Sequence, residues 1–253
     1  MTFSLDYMQQ TFRPITGALL GALIAVSSTS VMASTVNGGS LLSSSDADQL
    51  ETWLGVGPQD FTNIWSGGIG ATAASFHAAA DDAGPTISIY SITHNQLGNM
   101  RIGGYTTQSW GSDFAIYKSD PDAFIFNLDS GEIQRPTGVY NDLYAILAYE
   151  DYFPTFGGGH DLYGGRVTLG GSTPYSYSYT YDTSQGQITV AGDSGAYQGD
   201  SGYSYYGWSV NSLEVYTFQS ASTVVPLPSA LPLLAGALGI VGFMGWRRKR
   251  SVA

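Results

Sequence analysis

The chain has 253 residues, a net charge of −11 and no cysteine, and only 11% of its residues are charged. The absence of cysteine excludes disulfides, thiolate nucleophiles and Cys-based zinc sites, so an exported domain of this size must rely on its hydrophobic core. Between residues 34 and 246 there are four basic and 19 acidic residues, a net charge of −15. Such an acidic surface repels phosphate backbones, so we expect no nucleic-acid partner.

The first 33 residues have the pattern of a secretory signal peptide. An apolar run over residues 15–26 is followed by small residues and by Val31-Met32-Ala33-Ser34. Small residues at the minus-three and minus-one positions predict cleavage between Ala33 and Ser34. The alternative is a first membrane helix that stays in place, although the run is short for a span. We expect residues 34–44 to form a linker to the next domain.

Two helices are predicted near the start of the mature chain. Serines at 43–45 supply N-cap hydroxyls, acidic residues follow in the first turn, and Leu50, Trp53 and Leu54 form an apolar stripe. The alanine-rich segment 71–80 predicts a second helix, which Gly84-Pro85 would end.

Strand-like runs dominate the rest of the domain. In the run 174–181, Tyr alternates with Ser or Thr, and the stretch 182–204 predicts a loop that holds one short strand, 187–191. Locally paired strands with few helices predict an α+β, mainly β fold, an antiparallel β-sandwich flanked by helices. The other predicted strands are 86–92, 100–106, 123–128, 143–149 and 212–218.

The C-terminus combines three features in a fixed order. Val225-Pro226-Leu227-Pro228 is followed by an uncharged apolar stretch and then by the basic cluster Arg247-Arg248-Lys249-Arg250. The stretch from about residue 227 to residue 246 predicts one C-terminal transmembrane helix. The basic cluster would hold the C-terminus on the cytoplasmic side, which places the domain outside.

This order of parts resembles the PEP-CTERM class of sorting signals, in its variant with a Val-Pro-Leu-Pro (VPLPA-type) motif. The resemblance covers residues 220–253 and implies a Gram-negative bacterium. It also implies an exosortase-like enzyme in the inner membrane that cuts near the motif and releases the domain or attaches it at the cell surface. An ordinary stop-transfer anchor is the alternative.

The middle of the chain, residues 45–219, resembles the TLDc domain of eukaryotic oxidation-resistance proteins. The resemblance implies a β-sandwich core flanked by helices, without an agreed enzymatic chemistry. Ala80 stands where eukaryotic members often have Cys, which removes any thiol-based mechanism here. The matching residues stand in family order: Phe76-His77, Gly84-Pro85-Thr86, Gly103-Gly104-Tyr105, Phe156-Gly157-Gly158-Gly159, Asp161 and Glu214.

Three residues are candidates for chemistry. His160 follows three glycines and precedes Asp161, and such a pair could bind a divalent cation or serve as a general base. Glu214 alternates with Leu213 and Val215 and therefore faces the opposite side of its strand. These candidates also have structural interpretations. The three glycines before His160 would let the backbone turn sharply, and the Glu214 carboxylate would accept backbone hydrogen bonds that fix a loop. His77 is expected to pack or to form hydrogen bonds where its helix meets the sheet.

These patterns together predict an exported, surface-sorted protein. We expect a non-catalytic binding module of the envelope or extracellular matrix, with polysaccharide or a surface protein as its partner and with no cofactor or metal. The alternative is an extracellular hydrolase or metal-dependent enzyme that uses His160, Asp161 and Glu214. That alternative requires the three side chains to share one cleft.

Overall fold

The structure, a computed structural model, describes residues 33–112, 114–137, 141–181, 189–192 and 207–221. Strands far outnumber helices in these ranges, so the prediction of a mainly β fold is confirmed. None of the helices in the described ranges is long and apolar enough to cross a membrane. The sorting motif, the predicted membrane helix, the basic cluster and the signal peptide before Ala33 lie outside the described residues.

Eleven strands of the described chain form two sheets. The larger sheet has seven strands in the order β1-β2-β11-β3-β4-β6-β7, and the smaller has four in the order β10-β9-β8-β5. The strands are β1 (Thr35–Asn37), β2 (Gln59–Gly68), β3 (Thr86–His94), β4 (Gly98–Thr106), β5 (Ile116–Lys118), β6 (Phe124–Asn127), β7 (Glu132–Gln134), β8 (Ile146–Ala148), β9 (Thr155–Phe156), β10 (Leu162–Tyr163) and β11 (Trp208–Ser220).

The expectation of a purely antiparallel sheet is wrong at one pair. β1 runs parallel to β2, with Thr35 opposite Asp60, whereas the other strand pairs are antiparallel. Parallel neighbours need a crossover connection, and helix α1 (Ser44–Leu54) supplies it between β1 and β2. The segment expected to be a linker, 34–44, therefore contributes an edge strand to the sheet.

Local capping explains where the two helices begin. Ser43 is the N-cap of α1: its hydroxyl accepts a hydrogen bond from the Asp46 amide, and the Asp46 carboxylate accepts one from the Ser43 amide. Gly55 ends α1 in the left-handed conformation. Helix α2 (Ala73–Ala80) begins two residues later than predicted, because the Thr72 side chain serves as its N-cap.

The seven-stranded sheet is buried on both faces. On one face, α2 and the smaller sheet share a core with the larger sheet, and this core contains Leu213 and Val215 of β11. On the other face, α1 packs through Ala47 and Leu50 onto a second core that contains Tyr216. Alternation along β11 thus sends Glu214 to the α1 face, as the sequence predicts.

The strand prediction differs from the structure in several places. Residues 174–181 form no strand: Tyr175 makes an isolated antiparallel bridge to Tyr163, and the amides of residues 179–181 donate to the Asp161 carboxylate. Within 143–149 only β8 is a strand, after a 3₁₀ helix over Asn141–Tyr144. β2 is not among the predicted strands, because a bulge at Ile64 interrupts the alternation of its apolar residues.

Candidate functional site

Asp161 lies in the loop between β9 and β10 and is fully buried. Its carboxylate accepts hydrogen bonds from the backbone amides of Tyr179 at 2.7 Å, Tyr181 at 2.9 Å and Thr180 at 3.1 Å. Burial raises the pKa of Asp161 to about 7, although these three donors favour the charged form. The carboxylate therefore organises the segment that follows residue 178.

Close packing around Asp161 explains the first glycine of the Gly157-Gly158-Gly159 turn. Gly157 has a φ of +86°, and a Cβ atom there would lie 1.8 Å from Asp161 Oδ2. The amide of Gly158 donates to Thr180 Oγ1 at 2.8 Å. The turn thus lets the chain wrap tightly around a buried carboxylate.

His160 sits in an aromatic cluster, formed with Tyr152, Tyr163 and Tyr175. Its ring stacks on Tyr163 at 5.3 Å between centroids and meets Tyr152 edge-on at 5.8 Å. Its Nδ1 shares a short hydrogen bond with the hydroxyl of Tyr175. Burial lowers the pKa of His160 to about 4, so the imidazole is neutral at pH 7. His160 also has a φ of +59°, in the left-handed region that residues other than glycine rarely adopt.

Glu214 fixes the segment that leads into α1. Its carboxylate accepts hydrogen bonds from the amides of Ser40 at 2.9 Å and Leu41 at 2.8 Å, and from the Ser40 hydroxyl at 3.0 Å. The hydroxyl of Tyr216 donates a further, short hydrogen bond. Burial alone would raise the pKa of Glu214, but the bonds from Tyr216, Leu41 and Ser40 outweigh it and lower the pKa.

The approach of this carboxylate to the main chain leaves no room for a side chain at Gly39. A Cβ atom there would lie 2.7 Å from Glu214 Oε2 and 2.1 Å from the Tyr216 hydroxyl. Gly39 also has a φ of +74°, a conformation that favours glycine. Gly39, Glu214 and Tyr216 are therefore one structural unit.

The structure does not bring Glu214 together with His160 and Asp161. Glu214 binds Ser40 and Leu41 on the α1 face of the larger sheet. Asp161 binds the amide of Tyr181, whose side chain belongs to the core on the opposite face. The three candidates share no cleft, and each is engaged by neighbouring groups of the protein.

His77 joins α2 to the loop after β8, as predicted for the junction of helix and sheet. Its Nδ1 lies 2.6 Å from Asp81 Oδ1, and its Nε2 lies 3.0 Å from the carbonyl oxygens of Tyr149 and Tyr152. Both ring nitrogens thus face oxygen atoms of the protein. The Nε2 that a catalytic histidine would turn to a substrate is bound to the backbone.

An acidic cleft opens beside this junction, with a volume of about 550 Å³. This volume lies in the range of small-molecule sites. Among the described residues, no group of three or more His, Asp or Glu side chains is placed to hold a metal ion. The cleft is lined by Ala74, His77, Ala78, Asp81, Asp82, Ser112, Glu150 and Asp151.

The remaining motif residues have structural roles. Phe76 and Phe156 are fully buried in the core beside the smaller sheet. Thr86 Oγ1 accepts a hydrogen bond from Trp110 Nε1 at 2.9 Å. Gly84 has a φ of +74° in the turn between α2 and β3, just before Pro85. Gly103, Gly104 and Tyr105 lie in β4, where the glycines face the rings of Phe126 and Phe156.

Sequence reasoning missed three polar contacts that connect distant segments. Arg101 Nη1 donates to Asp46 Oδ2 at 2.5 Å, and its Nη2 donates to Asp129 Oδ1 at 2.6 Å. Ser34 Oγ donates to Glu51 Oε1 at 2.5 Å. The capping pattern at 43–46 places Asp46 in the first turn of a helix, but no local signal identifies Arg101, 55 residues away, as its partner.

A scan against models of protein families and a search of curated proteins both find no match for this chain. The resemblances to the TLDc domain and to PEP-CTERM signals therefore stay predictions.

We predict that Glu214→Gln lowers the free energy of unfolding by about 1–3 kcal/mol at pH 7, because the amide group opposes amide donors of Ser40 and Leu41. Chemical denaturation at several pH values measures the change. The folded pKa of Glu214 is depressed, so its contribution is present above the ordinary value of 4.5 and is lost as the pH falls through the folded pKa. The difference between the two proteins should therefore narrow below about pH 4.5.

The matched control for this prediction is Glu150→Gln, which removes the same charge from an exposed position. Its effect should stay within about 0.5 kcal/mol at every pH. Equal effects of the two substitutions at pH 7 would contradict the role assigned to Glu214.

Proposed function

We propose that this is an exported, surface-sorted protein whose TLDc-like domain serves as a non-catalytic binding module in the cell envelope or extracellular matrix. An exosortase-like enzyme would process its C-terminal signal. We further propose that the two sheets form a β-sandwich of the TLDc type, with α1 and α2 at its sides. The observation that carries the non-catalytic part is the engagement of Asp161 and Glu214 by backbone amides.

Concerted acid–base chemistry needs two groups within reach of one substrate. Asp161 has no exposed surface, and Glu214 is 6% exposed on the opposite face of the larger sheet. His160 is neutral at pH 7 and its Nδ1 is bonded to Tyr175. These positions favour structural roles for all three and weigh against the hydrolase alternative.

The positions of the domain's ends support a signal peptide before the domain and one transmembrane helix after it. Thr35 of β1 and Gln219 of β11 both lie opposite Asp60 of β2. The chain therefore enters and leaves on either side of one strand, about 10 Å apart. The sorting motif begins at Val225, four residues after Ala221, whose amide donates to the carbonyl of Pro58. The signal peptide and the predicted C-terminal transmembrane helix would then connect to the same end of the sheet.

The acidic cleft beside α2 is the surface that we propose for binding. It is open, of ligand size, and carries Asp82, Glu150 and Asp151 in addition to the His77–Asp81 pair. Its negative charge favours ligands with amino or guanidino groups, such as amino sugars or basic protein segments.

The sorting proposal predicts a defect when the basic cluster is neutralised. In cells that express the chain with Arg247, Arg248, Lys249 and Arg250 changed to Ser, processing and surface delivery should fall several-fold, because no charge then fixes the helix orientation. Immunoblots of cell fractions measure both. A variant with lysine at all four positions keeps the charge and should behave as the wild type. Unchanged processing of the serine variant would contradict the proposal.

The binding proposal predicts retention of polysaccharides without turnover. The purified protein, tested on a polysaccharide panel with and without divalent cations, should bind chains that carry amino groups and release no reducing ends. A triple variant, Asp82→Asn, Glu150→Gln and Asp151→Asn, should bind about tenfold more weakly, because it loses three charges from the cleft.

Two controls make this test specific. The variant Asp48→Asn, Asp122→Asn, Glu132→Gln removes the same number of charges elsewhere and should bind as the wild type does. His160→Ala should change nothing in the assay. Turnover of any substrate that is lost in His160→Ala would overturn the binding-module proposal in favour of the enzyme.

A further inference from the structure

Glu51 is a nearly buried carboxylate with incomplete pairing. It lies in the third turn of α1 and is 7% exposed. Its Oε1 accepts hydrogen bonds from the amide of Gln59 at 2.6 Å and from the hydroxyl of Ser34 at 2.5 Å. A buried carboxylate is costly unless its charge is compensated.

No basic side chain within the described ranges compensates this charge. The ion pairs found there join Arg101 to Asp46 and to Asp129, and His77 to Asp81. The domain has only four basic side chains between residues 34 and 246. The printed hydrogen-bond donors to Glu51 in this part of the chain, the Gln59 amide and the Ser34 hydroxyl, are both neutral.

Ser34 is the residue that signal cleavage would expose as the new N-terminus. Its Oγ already touches Glu51, and three covalent bonds separate Oγ from the backbone nitrogen. That nitrogen consequently lies within about 6 Å of Glu51 Oε1. At this separation a charged group attracts the carboxylate directly.

We propose that signal cleavage supplies the missing cation: the α-ammonium group of Ser34 pairs with Glu51 and locks the first strand onto the domain. The inference rests on the proposed export and on cleavage between Ala33 and Ser34. Hydrolysis of that peptide bond leaves a carboxylate on the departing Ala33 and an amine on Ser34. The amine takes up a proton at neutral pH, because free α-amino groups have a pKa of about 7.7–8.0.

The uncut chain differs in a single respect at this position. Its Ser34 nitrogen is a neutral amide, so Glu51 keeps only its two hydrogen-bond donors. The neighbouring strand β1 has three residues and lies at the edge of the sheet, beside β2. Cleavage would thus strengthen this short edge of the sheet after the leader is removed.

The test uses the processed protein purified from the envelope of producing cells. N-terminal sequencing first establishes that it begins at Ser34. Its α-amine is then acetylated near pH 6.5, where lysines react little, and mass spectrometry checks that Lys118 is unmodified. We expect acetylation to lower the folded-to-unfolded ratio about tenfold in the wild type and less than twofold in Glu51→Gln.

A second variant separates this pair from general charge effects. Asp60→Asn removes a carboxylate that Thr35 contacts at 2.5 Å, one residue further along the chain. Acetylation should still lower the folded-to-unfolded ratio about tenfold in that variant. In the wild type, the effect of acetylation on this ratio should be smaller in 1 M salt. The salt dependence keeps the test valid if Glu51→Gln fails to fold.

The possible failures are distinguishable. A mature chain that begins at another residue, or an uncut chain, would overturn the inference through the proposed cleavage site. A chain that begins at Ser34 but loses equal stability on acetylation in the wild type and in Glu51→Gln would overturn the ion pair and leave the export proposal intact. A wild-type effect that does not change with salt would also overturn the ion pair.

Discussion

The hydrogen bonds of Glu214 hold the two ends of the domain together. β11 lies between β2 and β3 within the larger sheet, and Glu214 binds the amides of Ser40 and Leu41 from that position. The segment that it holds connects β1 to α1, and α1 covers one face of the sheet. The contact is long-range, 174 residues apart in sequence, so it forms only when the whole sheet is assembled.

A shortage of cations explains why carboxylates of this protein bind backbone groups. Four basic and 19 acidic residues stand between positions 34 and 246. Glu214 and Asp161 accordingly accept hydrogen bonds from backbone amides, and Asp120 accepts one from the Thr106 hydroxyl and one from the Thr107 amide. Arg101 joins two carboxylates, those of Asp46 and Asp129. Hydrogen bonds from amides to an ionised carboxylate are stronger than those between neutral groups, so a buried carboxylate used in this way stabilises the fold.

The sequence predicts features that depend on neighbouring residues and misses those that depend on distant ones. The Ser43 cap, the apolar stripe of α1 and the direction of Glu214 follow from local periodicity and are confirmed. The tyrosine-rich run 174–181 has strand periodicity, yet the amides of Tyr179 and Tyr181 donate to the Asp161 carboxylate. No local sequence pattern predicts this contact. The cleft beside α2 combines residues from three separate segments, and its existence could not be read from any one of them.

The titration of the Glu214 carboxyl group, followed by ¹³C NMR in the purified protein, tests the central claim most directly. A carboxylate held by Ser40, Leu41 and Tyr216 should have its midpoint below the ordinary value of 4.5, and its signal should not respond to polysaccharides or divalent cations. A general acid is instead poised near its working pH. A midpoint of about 6 or higher would contradict the structural role of Glu214.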